Sequence, residues 1–164
     1  MGQDNIRRQV EFIISVTSTI PFKSVAVISY ATDAEIVIRP GQLSDFSEFA
    51  ETLRQANYSM GHMKNLGEAL NKVREIPEIF SHTTPALVVA MILGKSDDDP
   101  GPHATELKQQ NVTILALPID SSYSMGQLSL LTSNPLSDHL LTTNVASLKG
   151  FISSTRDAIC KGIV

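Results

Sequence analysis

Residues 86–93 read ALVVAMIL, eight apolar side chains without a charge, bounded by Pro85 and Gly94. The run is short for a buried helix and has no solvent-facing side, so it predicts a strand covered on both faces of a parallel sheet. Such a strand needs helices above and below it, because parallel neighbours are joined by helical crossovers. The rest of the chain supplies the segments. Ile6, Val10, Ile13, Ile14 and Thr17 mark one face of a helix over 6–20, with Asp4 or Asn5 as cap and Pro21 as stop. Residues 24–30 (SVAVISY) predict a second strand buried on both faces, and 35–39 (EIVIR) an edge strand that forms a hairpin with it. Phe46, Phe49, Ala50 and Leu53 return to helical spacing behind Ser44 and Asp45, and Leu66, Ala69, Leu70, Val73 and Ile76 do so before Pro77. Helices over 103–110 and 125–132, strands at 112–117 and 139–142, and a closing helix carrying Leu148, Phe151, Ile152, Thr155 and Ile159 complete the alternation. The pattern predicts one three-layer α/β domain over 1–164 with a mainly parallel sheet.

Composition narrows what such a domain does. A hydrophobic fraction of 42% against 18% charged describes a globular chain rather than a disordered one. Thirteen Lys and Arg against seventeen Asp and Glu give a net charge of -4, so no positive field exists for a phosphate backbone and nucleic acid is not expected as a partner. No apolar run reaches the roughly 20 residues of a membrane span, and MGQDNIRRQ does not read as an export signal. Neither GxGxxG, GxxxxGK[ST] nor GxSxG occurs, and His62, His82, His103 and His139 lack a metal-protease spacing. The expectation is therefore no enzyme and no cofactor. An intracellular α/β enzyme, the competing class, would need a deep pocket lined by histidines and carboxylates.

Three features carry local chemistry. Asp97, Asp98 and Asp99 follow a strand end, where open α/β sheets place ligands, and oxygen donors suit calcium or magnesium. Adjacent side chains in a loop diverge, however, so a solvated turn is the simpler expectation. The triplets Asn57-Tyr58-Ser59 and Asn111-Val112-Thr113 are N-glycosylation acceptors and point to a secretory compartment. Cys160 is the only cysteine. In a cytosolic protein it would be a small hydrophobe; in a secreted one its partner would lie outside the chain.

Taken in order, VAVISYATDAEIVIRPG, GHMKNLGEAL, AMILGKSDDD, NVTILALP and STRDAIC resemble a von Willebrand factor type A domain of the extracellular-matrix type, nearly end to end. The resemblance implies a three-layer α/β/α Rossmann-like fold with one antiparallel edge strand. It also implies a non-catalytic adhesion module of a secreted or matrix protein, similar to the A domains of collagens and matrilins, with collagen or another matrix protein as ligand. Its ligand loops would lie around Tyr58, His62, Lys64 and Asn65 and around Lys95, Ser96 and Asp97.

Two departures bear on function. The family begins with a central strand ending in Asp-x-Ser-x-Ser, which supplies part of a metal-ion-dependent adhesion site; MGQDN resembles the text that follows it, so the domain is expected to be truncated at its N-terminus. That strand would lie between 24–30 and 86–93, leaving unpaired backbone groups along a gap. The family's Thr and Asp metal ligands fall on Lys64 and Leu93, so the site is expected to be degenerate and metal-free. The alternative is a magnesium or calcium site completed by Asp97 or Asp99. By the same resemblance, Cys160 would pair with a cysteine preceding the absent strand.

Overall fold

A computed structural model describes residues 2–58, 61–81 and 85–162. Helix α1 (Gln3–Thr17) leads through a short turn of 3-10 helix (Phe22–Ser24) to the hairpin β1 (Val27–Tyr30) and β2 (Ala34–Ile38). Helices α2 (Phe46–Gln55) and α3 (Leu66–Val73) follow, then β3 (Ala86–Ile92), α4 (Gly101–Gln109) and β4 (Val112–Pro118). The chain closes with α5 (Met125–Leu131), α6 (Leu136–His139), a 3-10 segment (Val145–Phe151) and α7 (Ile152–Gly162). The expected helix over 6–20 starts three residues earlier, on Gly2, with no side-chain cap. Asp4 sits in its first turn and pairs with Arg7 at 3.0 Å instead. The cap on α2 is as read: Asp45 accepts from the Glu48 amide at 2.9 Å, and Glu48 accepts from the Ser44 amide at 2.9 Å.

The strands form two sheets. β1 and β2 pair antiparallel, and β3 and β4 pair parallel in register from Ala86 opposite Val112 to Ile92 opposite Pro118. No strand pairing joins β1 to β3 among the described residues. This seam lies where the resemblance places the absent strand, and it corrects two expectations. Residues 24–30 are not buried on both faces: only Val27 of β1 is buried, and Ile28, Ser29 and Tyr30 are half-buried. In β3 only Ala90 and Ile92 are buried, whereas β4 is buried at every position but Thr113. The difference is in the edges. β4 has β3 on one side and Leu140 bridged to Ala116 on the other, while β1 and β3 each have one edge open. The expected strand at 139–142 is shortened to this bridge and two amide bonds to β4, from Leu141 to the Ala116 carbonyl at 2.9 Å and from Thr143 to the Pro118 carbonyl at 3.1 Å; α6 takes up His139, and Pro118 has no N–H to close a further pair.

Helices hold the halves together. On one face α1 packs Val10 and Ile14 against Val27 and Ile38, and Phe12 and Val16 against Leu117 and Ile119. On the other, Leu66, Ala69, Leu70 and Val73 of α3 join Ala34, Ile28 and Tyr30 to Ala90 and Ile92. The alternation of β3 feeds both cores, with Val88, Ala90 and Ile92 on the α3 side and Leu87, Val89 and Met91 on the α1 side.

Tyr30 makes a polar contact across the seam. Ile92 uses its carbonyl on the β4 side, accepting from Ile119 at 2.9 Å, so the Met91 carbonyl points the other way. Tyr30 Oη donates to that carbonyl at 2.9 Å. The phenol thus stands where a strand's amide would, and burial pushes its pKa well above the ordinary tyrosine value.

Tyr30→Phe should lower stability to urea by about 1–2 kcal/mol, the cost of leaving a part-buried acceptor unpaired. Alkali should act in the same direction. Burial also pushes Tyr58 up to about 12. Phenols with folded pKa values above the unfolded value of about 10 stabilise the fold fully below pH 10 and lose that contribution as pH rises through the folded values. Urea midpoints measured from pH 8 to 11 should fall only above about pH 10.

Candidate functional site

The C-terminal ends of β1, β3 and β4 open into the loops 31–33, 94–100 and 119–124, with the 61–65 loop beside them. This rim is cross-braced by side chains bonded to backbone. Asp97 Oδ2 accepts from the Lys64 amide at 2.7 Å, and the Asp97 amide donates to the Lys64 carbonyl at 3.0 Å. Asp98 spans the first turn of α3, taking the Gly67 amide on Oδ1 and the Glu68 amide on Oδ2, both at 2.8 Å. Asn65 precedes α3 but makes no cap; its Nδ2 donates to the Thr32 carbonyl at 2.7 Å. A carboxylate from another loop therefore does the capping, favoured by the positive end of the helix dipole. It comes so close that a Cβ on Gly67 would lie 2.8 Å from Asp98 Oδ2 and 2.9 Å from the Asp99 carbonyl. Asp99 in turn accepts from the Gly101 amide at 3.0 Å, at the start of α4. The aspartates are exposed or half-buried, as a turn's would be, but each is committed to a backbone amide.

Ser96 is the buried centre of this brace. Its hydroxyl accepts from the Leu66 amide at 3.0 Å and lies 2.7 Å from the Lys64 carbonyl and 2.6 Å from Asp98 Oδ1, its one proton serving either acceptor. The Gln127 side chain closes on the Ser96 peptide from α5: Oε1 accepts from the Ser96 amide at 2.9 Å and Nε2 donates to the Ser96 carbonyl at 3.2 Å. Sequence reasoning missed Gln127, whose type and position in α5 carry no sign of a partner 31 residues away.

Lys64 contributes more than its backbone. Its Nζ would lie 2.9 Å from a Cβ on Gly94, beside Ser122 Oγ, and the φ of +104° at Gly94 is one that suits glycine. The Ser122 hydroxyl and amide, with a further contribution from the Lys64 ammonium, hold the Asp120 carboxyl below the usual carboxylate range. An ammonium thus lies over the end of β3, near Ser122 and Asp120. Leu93 is half-buried and packs into the core under α1 and α7.

The remaining candidates separate. His62 and Lys95 are exposed on the rim, as is Met63, and Met125 is exposed at the start of α5. Tyr58 packs into the core formed by α1, α2 and the hairpin, and its hydroxyl donates to the Leu53 carbonyl at 2.6 Å. Asn57 and Asn111 are exposed; Ser59 and His82 lie outside the described residues. Cys160 is exposed on α7, not buried among apolar neighbours. Among the described residues no three His, Cys, Asp or Glu side chains gather closely enough to hold a metal. Beneath the rim, Leu66, Ile92, Tyr123, Gln127 and Leu128 line a void no larger than a water molecule.

The family model of the von Willebrand factor type A domain matches residues 1–153, and the chain belongs to that family. No curated protein sequence matches it significantly. Among solved structures it is similar to proximal thread matrix protein 1 from the mussel byssus, at 18% identity and a TM-score of 0.84, covering 97% of this chain and 44% of that one. A form of the mussel protein with a zinc-occupied MIDAS motif matches at 19% identity and the same TM-score, over 97% of this chain and 44% of that one. The manganese-loaded TRAP protein of Plasmodium vivax matches at 15% identity and a TM-score of 0.75, over 99% of this chain and 68% of that one. The chain spans less than half the length of the mussel proteins.

Asp98→Ala should cost about 2 kcal/mol in urea unfolding, because it strips two amides of α3 of a charged acceptor. Asp97→Ala, which frees one exposed loop amide, should cost about 1 kcal/mol or less.

Proposed function

We propose that this chain is a non-catalytic protein-interaction module of a secreted or matrix protein and that its rim engages a matrix protein, such as collagen, without a metal ion. Membership of the A-domain family supports the interaction role. The observation that carries the metal-free reading is the Lys64 ammonium over Gly94, near Ser122 and Asp120. A divalent cation brought to this edge would meet a like charge, with Leu93 offering no oxygen. Asp97 and Asp99, the residues that would complete a magnesium or calcium site, already accept backbone amides that hold the loops. The donor set therefore does not fit a resident ion, and the ammonium serves as the local positive charge.

The contact surface is a braced platform with polar groups at His62 and Lys95 and exposed apolar side chains at Met63 and Met125. Preorganised loops of this kind lose little conformational entropy on binding. The seam between β1 and β3 is, in the same reading, the slot of one further strand belonging to the parent protein.

Binding to immobilised collagens and other matrix proteins, followed by surface plasmon resonance, should be unchanged when magnesium is replaced by EDTA. Met63→Asp combined with Met125→Asp should weaken it roughly tenfold or more, equivalent to about 1.4 kcal/mol. Loss of binding in EDTA would contradict the metal-free rim.

A further inference from the structure

We infer that Asn111 is an N-glycosylation site and that its first sugar lies in the cleft at the N-terminal end of β4. The inference rests on the secretory setting proposed above but not on any partner. Asn111 opens the triplet Asn111-Val112-Thr113 and sits between α4 and β4, exposed, with its amide donating to the Lys108 carbonyl at 3.1 Å. Its φ of 62° is left-handed, a conformation that asparagine adopts more readily than most residues. The tight turn therefore tolerates the acceptor residue type without glycine.

Beside it lies an open cleft lined by Lys108, Thr113, Ser133, Asn134 and His139, a polar surface of the kind that sugar hydroxyls bond. Several of these groups are already fixed. Lys108 Nζ donates to the Leu130 carbonyl at 2.6 Å, Ser133 Oγ accepts from the Ile114 amide at 2.9 Å, and His139 Nδ1 lies 3.0 Å from the Pro135 carbonyl. A sugar held against them loses little entropy in ordering protein side chains.

Placement also keeps the glycan clear of the rim. β4 runs seven residues from Val112 to Pro118, and the rim loops leave its far end, roughly 20 Å away at 3.3 Å per residue. Asn57 stands differently. It follows α2 and is exposed, and the Ser59 of its triplet lies outside the described residues.

In the modification, Asn111 Nδ2 bonds to the anomeric carbon of an oligosaccharide carried on a lipid diphosphate. The bond from that carbon to the phosphate oxygen breaks, its electron pair leaves with the lipid diphosphate, and Nδ2 loses one proton.

The test is translation of the chain behind a cleavable export signal with endoplasmic-reticulum microsomes, in an Asn57→Gln background so that one acceptor remains. The expected result is a mass increase removed by endoglycosidase, and its loss in Asn111→Gln and in Thr113→Ala. Modification precedes folding in this assay, so a poorly folding variant does not obscure it. An unmodified chain would overturn the assignment. For the cleft, NMR spectra of the purified domain carrying one residual sugar should show shifts at Lys108, Thr113 and His139 relative to the unglycosylated chain; unmoved signals there would overturn the placement. Absence of matrix-protein binding would count against the proposed function and leave both readouts intact.

Discussion

Two half-sheets that share no strand pairing among the described residues stay side by side because α1 and α3 straddle the line between them. Each helix divides its apolar face, α1 between the hairpin core and the β3–β4 core, α3 between Ala34 with Tyr30 and Ala90 with Ile92. Burial of apolar area is non-directional, so helices can join two layers that backbone hydrogen bonds do not. The consequence falls on the strands beside the seam. β1 and β3 keep open edges and half-buried side chains, and Tyr30 reaches across to the Met91 carbonyl.

The rim depends on that frame, since its loops spring from strands in both halves. Their positions are set by short polar contacts: Asn65 to the residues after β1, Asp97 and Asp98 to the approach and first turn of α3, and Gln127 to Ser96. Acidic side chains that look available for a cation are thereby helix caps and loop clasps. The Lys64 ammonium puts a positive charge at the same edge, near Ser122 and Asp120.

Most of the layered fold was legible because its signals are local. Eight uncharged apolar residues, helical spacing behind Asp45, and a Pro-Gly after the hairpin each declare themselves within a few positions. The predicted depth of burial was not local. Whether Val88 or Ile28 is covered depends on a neighbouring strand rather than on the residue, and among the described residues no strand pairs with the facing edges of β1 and β3. The segment 139–142 shows the same limit, as it lies along β4 with one bridge and two amide bonds, its further pairing stopped by Pro118, a partner far off in sequence. At the site, the resemblance pointed to Lys64 and Leu93, but the roles of Asp97, Asp98 and Gln127 arise from partners about 30 residues distant. Tyr58 looked like a loop residue and instead anchors the hairpin core, since its ring has an apolar cluster within reach and its hydroxyl a free carbonyl.

The arrangement makes alternate residues of β3 unequal, because successive amides of a strand point to opposite edges. Ile92 faces β4, and so do Ala90 and Val88; Met91, Val89 and Leu87 face the seam. Residue-resolved amide hydrogen exchange on the folded chain reads this directly. Slow exchange at Val88, Ala90 and Ile92 with fast exchange at Leu87, Val89 and Met91 is the result expected of two half-sheets held by helices. Equal, strong protection along the whole strand would mean that a backbone partner occupies the seam and that the helices do not hold it alone.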